Sequence, residues 1–445
     1  MKTLRFLLTF IVICFFAACT KDIPIDDLKQ APADGNKEIK SKPGQLKIAV
    51  ISDIHYMDPS LLIADGSAFQ TYLAYDPKLL QFSDPIFRTA VSKIILEKPD
   101  IVLIPGDLTK DGEKVSHEAM SAILQQLADN GIKVYVIPGN HDINNPEAAS
   151  YDGDNTNPVP TINAADFSDI YGNFGYKNAK FRDANSLSYI CEPYSNLWIL
   201  GIDDCEYYAN TDFAIWAGVI KPETMIWMEE KLRYAKENNI TVLSMMHHGI
   251  VEHYIGQQTL DPGFVTDNYI ADGPRLLAAG LKVMFTGHYH ANDITMLGGE
   301  NGDVLYDIET GSLVTPPSPF RIITLSDNGM DINTKRITSV NCTIPLGFSF
   351  TRYSDQFLTA HLDGYFAAYL NGVYGVPENV AAYIAPQFRN AMMAHYAGDE
   401  KITPKEQALD DWVGANVSPI LGGALQSLWY DLPPADNQLK INFKY

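Results

Sequence analysis

Five short clusters along the chain carry side chains that bind metal ions through nitrogen and oxygen. They are Asp53-Ile54-His55, Gly106-Asp107, Gly139-Asn140-His141-Asp142, His247-His248 and Gly287-His288-Tyr289-His290. Imidazole, carboxylate and amide oxygen together suit a first-row divalent ion. Two such ions about 3.5–4 Å apart clamp the attacking and leaving oxygens of an in-line displacement at phosphorus. That chemistry needs a bridging carboxylate, mixed N/O ligands for each ion and an open face for water and substrate. The five clusters contain all of these parts. Singly, each has a plainer reading: Asp53 as a helix cap, Asn140-His141-Asp142 as an Asx-turn, His288 and His290 as surface residues.

The elements that must position these residues decide between the readings. Short runs rich in Val and Ile at residues 46–51, 101–105, 132–137, 240–246 and 281–286 read as buried strands. Residues 85–97, 115–130, 222–239 and 274–279 read as helices, with Pro222 and Pro274 placed as first-turn prolines. Such alternation predicts an α/β sheet with right-handed crossovers. Each strand is followed within about two residues by one of the clusters, where open α/β sheets bind their ligands. Six of the ten histidines, His55, His141, His247, His248, His288 and His290, are thereby predicted on one edge of one sheet. Residues i and i+2 of an extended segment point the same way, so Asp53 with His55, and His288 with His290, can each face one site. Gly106, Gly139 and Gly287 precede the ligands, where the chain must turn and come close to the ions. Adjacent His247 and His248 face opposite sides, and His247 is preferred as ligand, with His248 nearby either for substrate or for an outer contact to the ligands.

The ordered set resembles the signature of the calcineurin-like metallophosphoesterases over residues 46 to about 330. The resemblance implies a two-sheet αββα sandwich and two divalent ions. Asp53, His55, Asp107 and His290 would hold the first ion; Asp107 would bridge to the second, completed by Asn140, His247 and His288. It further implies that His141 stabilises the transition state or protonates the leaving oxygen, that Asp142 orients it, and that a metal-activated hydroxide attacks directly at phosphorus. Where purple acid phosphatases carry a Tyr three residues after the bridging Asp, this chain has Lys110. An Fe(III)–tyrosinate pair is therefore not expected, leaving Mn, Fe(II) or Zn. The expected function is a phosphodiesterase acting on a small phosphoester. The alternatives are a phosphomonoesterase or, from another class, an envelope binding lipoprotein stabilised by metal.

Composition limits the partners. A formal net charge of −21 disfavours a nucleic-acid polymer as substrate. Lys2 and Arg5 precede an apolar run that ends in Ala17-Ala18-Cys19, which resembles a lipoprotein signal. The expectation is a signal peptide over 1–18, lipidation at Cys19, a tether over 19–45, and export to a lipid-anchored position in the bacterial cell envelope. A phosphoesterase domain over 46–341 would follow. Residues 342–445 are expected as a small helical domain or appendage, with a capping box at Thr403-Pro404-Lys405-Glu406 and a helix opening at Ser418-Pro419. His361 and His395 receive no role. A hairpin around residues 193–196 would set Cys191 opposite Trp198, away from Cys205, so free buried thiols are expected. Residues 304–308, 321–325 and 330–336 should close a second sheet. The long insertions 56–84 and 143–185 should wall the pocket.

Overall fold

The computed structural model describes residues 44–442, so the expected leader, Cys19 and nearly all of the tether lie outside the described residues. One sheet has six strands in the order β16 (Gln438–Asn442), β15 (Gly329–Arg336), β14 (Pro319–Ser326), β1 (Gln45–Val50), β3 (Ile101–Pro105) and β4 (Lys133–Ile137). β1, β3 and β4 run parallel, with Ile48 opposite Ile101 and Ile101 opposite Lys133. A second sheet of seven strands runs β12 (Ile294–Gly298), β13 (Val304–Glu309), β11 (Val283–Thr286), β10 (Thr241–Met245), β9 (Leu197–Gly201), β8 (Tyr189–Tyr194) and β7 (Phe181–Arg182). Its central strands β9, β10, β11 and β13 are also parallel.

The sheets face one another, and Ile48, Val50, Val102 and Ile104 share a buried core with Ile199, Leu243, Met245 and Phe285. α2 (Ser83–Glu97) and α3 (Lys114–Asp129) add Phe87, Val91, Ile94, Met120 and Leu124 to this core. α5 (Pro222–Glu237) and α7 (Tyr269–Ala279) bury Met225, Met228, Leu232 and Leu276 against Trp198, Leu200 and Met284. Strands covered on both faces must be apolar throughout, which is why these runs read as continuous rather than alternating. The architecture is the expected αββα sandwich with a helical C-terminal region.

Several local expectations give way. Of the three late strands, only β13 joins the second sheet; β14 returns beside β1, antiparallel to it, and β15 follows. The ligand-bearing strands are divided between the two sheets. Strand pattern cannot tell which neighbour a strand will pair with, only that it is buried. α7 begins at Tyr269, so Pro274 lies inside the helix and not in its first turn. Asp272-Gly273 resembles a turn in sequence, yet Gly273 continues the helix where a side chain would crowd Leu297 and the Ile250 carbonyl. The β8–β9 hairpin turns tightly at Ser195-Asn196, with Asn196 at φ 62. A bulge between Cys191 and Tyr194 shifts the register, so Cys191 faces Ile199 instead of Trp198. Cys191 and Cys205 are free and buried, whereas Cys342 is exposed.

The two insertions meet. β2 (Leu62–Ala64) pairs with β5 (Ala149–Asp152), which pairs with β6 (Asn155–Pro158) in a small third sheet. With α1 (Ser67–Tyr75), they enclose a minor core of Leu61, Phe69, Leu73 and Tyr151. α4 (Ala164–Ile170) closes the second insertion, and the short α6 (Gln257–Leu260) precedes α7. Beyond β15 come α8 (Phe350–Gly372), α9 (Glu378–Ala397), α10 (Pro404–Asn416) and α11 (Pro419–Trp429). Both arms of the Thr403–Glu406 capping box are formed. The four helices share a core with Tyr254, Tyr289 and Ala291 of the catalytic region, and β16 then adds an unforeseen strand to the first sheet.

Candidate metal centre

The five clusters occupy the turns after β1, β3, β4, β10 and β11. The first three belong to one sheet and the last two to the other, so the site lies where the carboxyl ends of two sheets meet. This corrects the expectation of a single sheet edge. Past its end β1 keeps bonding to the turn after β3: Asp53 N–H donates to Gly106 O at 3.3 Å and His55 N–H to Asp107 O at 3.0 Å. Across the cleft, Gly287 N–H donates to His247 O at 3.0 Å, and the Asp53 carboxylate accepts His288 N–H at 3.1 Å.

The backbone is strained at these turns. Asp53, His55, Asp107, His288 and His290 all have positive φ, between 42° and 75°. Non-glycine residues rarely adopt this region, and such residues gather at functional sites because the surroundings force them. The glycines allow the crowding. A Cβ at Gly287 would collide with Ser52 Oγ and the Asp53 carboxylate, and one at Gly139 would collide with Asp107.

The side-chain atoms converge. Asp107 Oδ2 lies 3.5 Å from His55 Nε2 and 3.4 Å from His247 Nε2, the position of a bridging oxygen. His290 Nε2 is 3.5 Å from Asp53 Oδ1 and 3.2 Å from His55 Nε2, while His247 Nε2 is 3.0 Å from Asn140 Oδ1. Two ligand atoms each about 2.1 Å from one ion stand roughly 3.0–3.4 Å apart in octahedral or tetrahedral geometry, so this spacing fits a shared ion on each side of Asp107. His288 joins Asp107 and His247 in the second group, and its Nε2 is buried without a hydrogen-bond partner. The donor set therefore fits two divalent ions. Outer hydrogen bonds fix the rings: His247 Nδ1–H donates to Pro105 O at 2.9 Å, and His290 Nδ1 meets Thr315 Oγ1 at 3.2 Å.

Two expected roles are redrawn. His248 does not reach toward substrate; Asp204 takes its Nδ1 at 2.9 Å and Trp216 O its Nε2 at 2.8 Å, and the ring is fully buried behind His288. One step along β10 turned it to the far side, as the reversal of faces requires. Asp142 does not orient His141. Its carboxylate accepts the N–H groups of Leu108, Thr109 and Gly139 at 2.9–3.0 Å, and so holds the strained turn that carries Asp107. Asp111 takes the orienting position instead, with Oδ1 3.0 Å from His141 Nδ1. Sequence reading missed Asp111 because Lys110-Asp111-Gly112-Glu113 resembles a solvated charge run. All three charged groups are buried: Lys110 pairs with Asp111 and, at 3.2 Å, with Glu113, and Tyr72 OH donates to Asp111 at 3.0 Å. Lys110 is thus engaged by these two carboxylates and by the Tyr72 ring.

The field is uneven. Burial, then Lys78, depresses the proton affinity of His55, and burial with His248 and His247 does so for His288; both stay neutral and ready to ligate. His247 is lifted to about 10 because Asp107 and its neighbours outweigh burial. Burial and Lys78 oppose protonation of His141, yet Asp107 and Asp111 prevail and raise it. The imidazole of His141 therefore holds a proton more readily than a free one, with Nδ1 turned to Asp111. Its side chain is 23% exposed, against 0% for His55 and His247, so the open face lies at His141.

A family model described as calcineurin-like phosphoesterase matches residues 46–292. No curated protein matches the chain. Among solved structures, it is similar to a dimetal phosphatase from Danio rerio (15% identity, 65% of this chain and 96% of that one, TM-score 0.44). It is also similar to a purple acid phosphatase from yellow lupin seeds (12% identity, 67% and 52%, TM-score 0.40).

Proposed function

The chain belongs to the calcineurin-like phosphoesterase family and is a metal-dependent phosphoester hydrolase; on that premise we propose that it is a phosphodiesterase. Asp53, His55, Asp107 and His290 hold one ion in this reading, and Asp107, Asn140, His247 and His288 the other. When bound, such ions polarise the phosphoryl oxygens and lower the pKa of a water. The protein's own part is positional and protic. His141 Nε2, on the open face, donates a proton to the departing ester oxygen, while Asp111 holds Nδ1–H and keeps the ring aimed. The metals are drawn from Mn, Fe(II) and Zn.

The observation that carries the diester reading is an aromatic cavity of about 250 Å³ lined by Phe264, Tyr289, Tyr254 and Tyr365 among others, which none of the ligands lines and which approaches the centre through Phe264. Phe264 lies 4.9 Å, centroid to centroid, from the ring of His288. A second organic substituent on phosphorus would find apolar surface there, which a monoester has no group to fill. We predict that kcat/KM for a bis-aryl phosphodiester exceeds that for the aryl monoester by about tenfold or more, a difference of roughly 1.4 kcal/mol in transition-state binding. Higher activity on the monoester would overturn the assignment, and a protein that binds two metals yet cleaves neither would point to a binding role.

We also propose that the chain is exported and lipid-anchored through Cys19, a reading that rests on sequence alone. Wild-type protein should incorporate labelled fatty acid and partition with membranes, and Cys19→Ala should do neither. Labelling that persists in Cys19→Ala would refute it. No helix among the described residues is long and apolar enough to cross a membrane.

A further inference from the structure

Near the ends of β11 and β13, behind the catalytic turn, a second group of ionisable side chains is sealed from solvent. It contains His253, Asp293, Asp307 and Glu309 from the catalytic region and His395 and Glu400 from the end of α9 and the loop that follows. Asp436 is buried beside them. Five carboxylates here face two imidazoles and the buried guanidinium of Arg321. That guanidinium is spent largely on backbone, meeting the carbonyls of Glu309, Asp436 and Asp293. Even with both imidazoles protonated the group lacks positive charge, and unbalanced buried charge is costly. Glu309, pushed up to about 8 by burial, and Asp436, pushed up to about 9 by burial and Asp293, reflect the same deficit.

Within this group three side chains present ligand atoms to one point. Asp293 Oδ2 lies 3.5 Å from His395 Nδ1, the separation found between ligand atoms at the catalytic centre, and Glu400 Oε1 meets the same nitrogen in a 2.5 Å hydrogen bond that an ion would replace. Asp293 Oδ2 and Glu400 Oε2, on side chains only 1% exposed, are buried without hydrogen-bond partners, as is His395 Nε2 on the other side of the imidazole ring. The other Asp293 oxygen is held by His253 Nδ1–H at 2.6 Å, an outer hydrogen bond of the kind that aims a ligating carboxylate. One ligand atom from each of the three lies within 4.8 Å of the other two.

We propose that Asp293, His395 and Glu400 form a third cation site, separate from the dinuclear centre, that takes a first-row divalent ion such as Zn²⁺ or Mn²⁺. One imidazole and two carboxylates suit such an ion better than Mg²⁺ or Ca²⁺, which prefer all-oxygen sets. The ion would supply the missing charge and tie α9 to the segment that leaves His290, three residues before Asp293. This site does no chemistry on phosphorus; it secures the helical region against the catalytic turn.

The test uses the full chain, freed of metal by chelation and reloaded with Zn²⁺ or Mn²⁺ alone. Elemental analysis should find three equivalents in wild type and two in both His395→Ala and Glu400→Gln, with phosphodiesterase kcat within about threefold of wild type. Melting on reloading should rise less in the variants than in wild type. If a variant does not fold, anomalous diffraction at the Zn or Mn edge from wild-type crystals decides the matter. A peak between Asp293, His395 and Glu400 supports the site. Two equivalents in wild type, no peak, or three equivalents kept in both variants overturns it and assigns the charge deficit to bound protons.

Discussion

Asp107→Asn should lose bound metal and with it on the order of 10³-fold or more in kcat/KM, equivalent to about 4 kcal/mol of transition-state stabilisation. Asp107 Oδ2 lies within 3.5 Å of both His55 Nε2 and His247 Nε2. The carboxylate is held far below its ordinary pKa because His247, His141 and His55 together outweigh its burial. An amide at this position removes the negative charge that two cations share, and it offers a single oxygen where two are in use. The second oxygen already accepts His141 N–H at 3.0 Å, so Asn must either abandon that bond or turn its NH₂ toward the ions. Elemental analysis and steady-state kinetics on one preparation check the result. A variant that keeps both ions and more than a tenth of the activity would show that Asp107 does not bridge.

The case for Asp107 was legible before any coordinates because it depends on a strand end. Strands buried on both faces announce themselves by Val and Ile, and the polar residues just after them are marked by contrast. The same logic located Asp53, His55, Asn140, His247, His288 and His290. It could not divide the strands between two sheets, since the packing of β4 on β9 and of β3 on β10 from one sheet to the other leaves no periodic trace in either partner. Nor could it see where a side chain in a tight turn points. Asp142 follows His141 directly, yet it reaches back beneath the turn to Leu108, Thr109 and Gly139, because backbone donors in a strained loop must be satisfied. Asp111, four residues past Asp107, takes the place by His141 that the resemblance had implied for Asp142. The partnership of the two insertions through β2 and β5 was equally hidden: each strand is short, and each becomes a strand only in the presence of the other.

The exchange of Asp111 for Asp142 leads to the most discriminating expectation. His141→Ala should keep both ions, because no ligand position depends on its side chain, and should lower kcat by roughly 10²–10⁴-fold, the usual range for a lost general acid. The loss should be smaller for an aryl leaving group than for an alkyl one, since a phenolate departs without a proton more readily than an alkoxide. A residue that only supported the fold would depress both substrates alike. Asp111→Asn should follow the same pattern more weakly, about 10–100-fold, since the ring survives but its Nδ1–H loses a charged partner. Asp142→Asn should behave differently. Its amide cannot accept all of the N–H donors now shared by two carboxylate oxygens, so the variant should lose about 1–3 kcal/mol of stability. Its effect should fall equally on alkyl and aryl esters. A leaving-group dependence carried by Asp142→Asn and absent from Asp111→Asn would return the orienting role to Asp142. If His141→Ala slows the alkyl and aryl esters equally, the proton must come from elsewhere, and His141 serves only to stabilise charge at phosphorus.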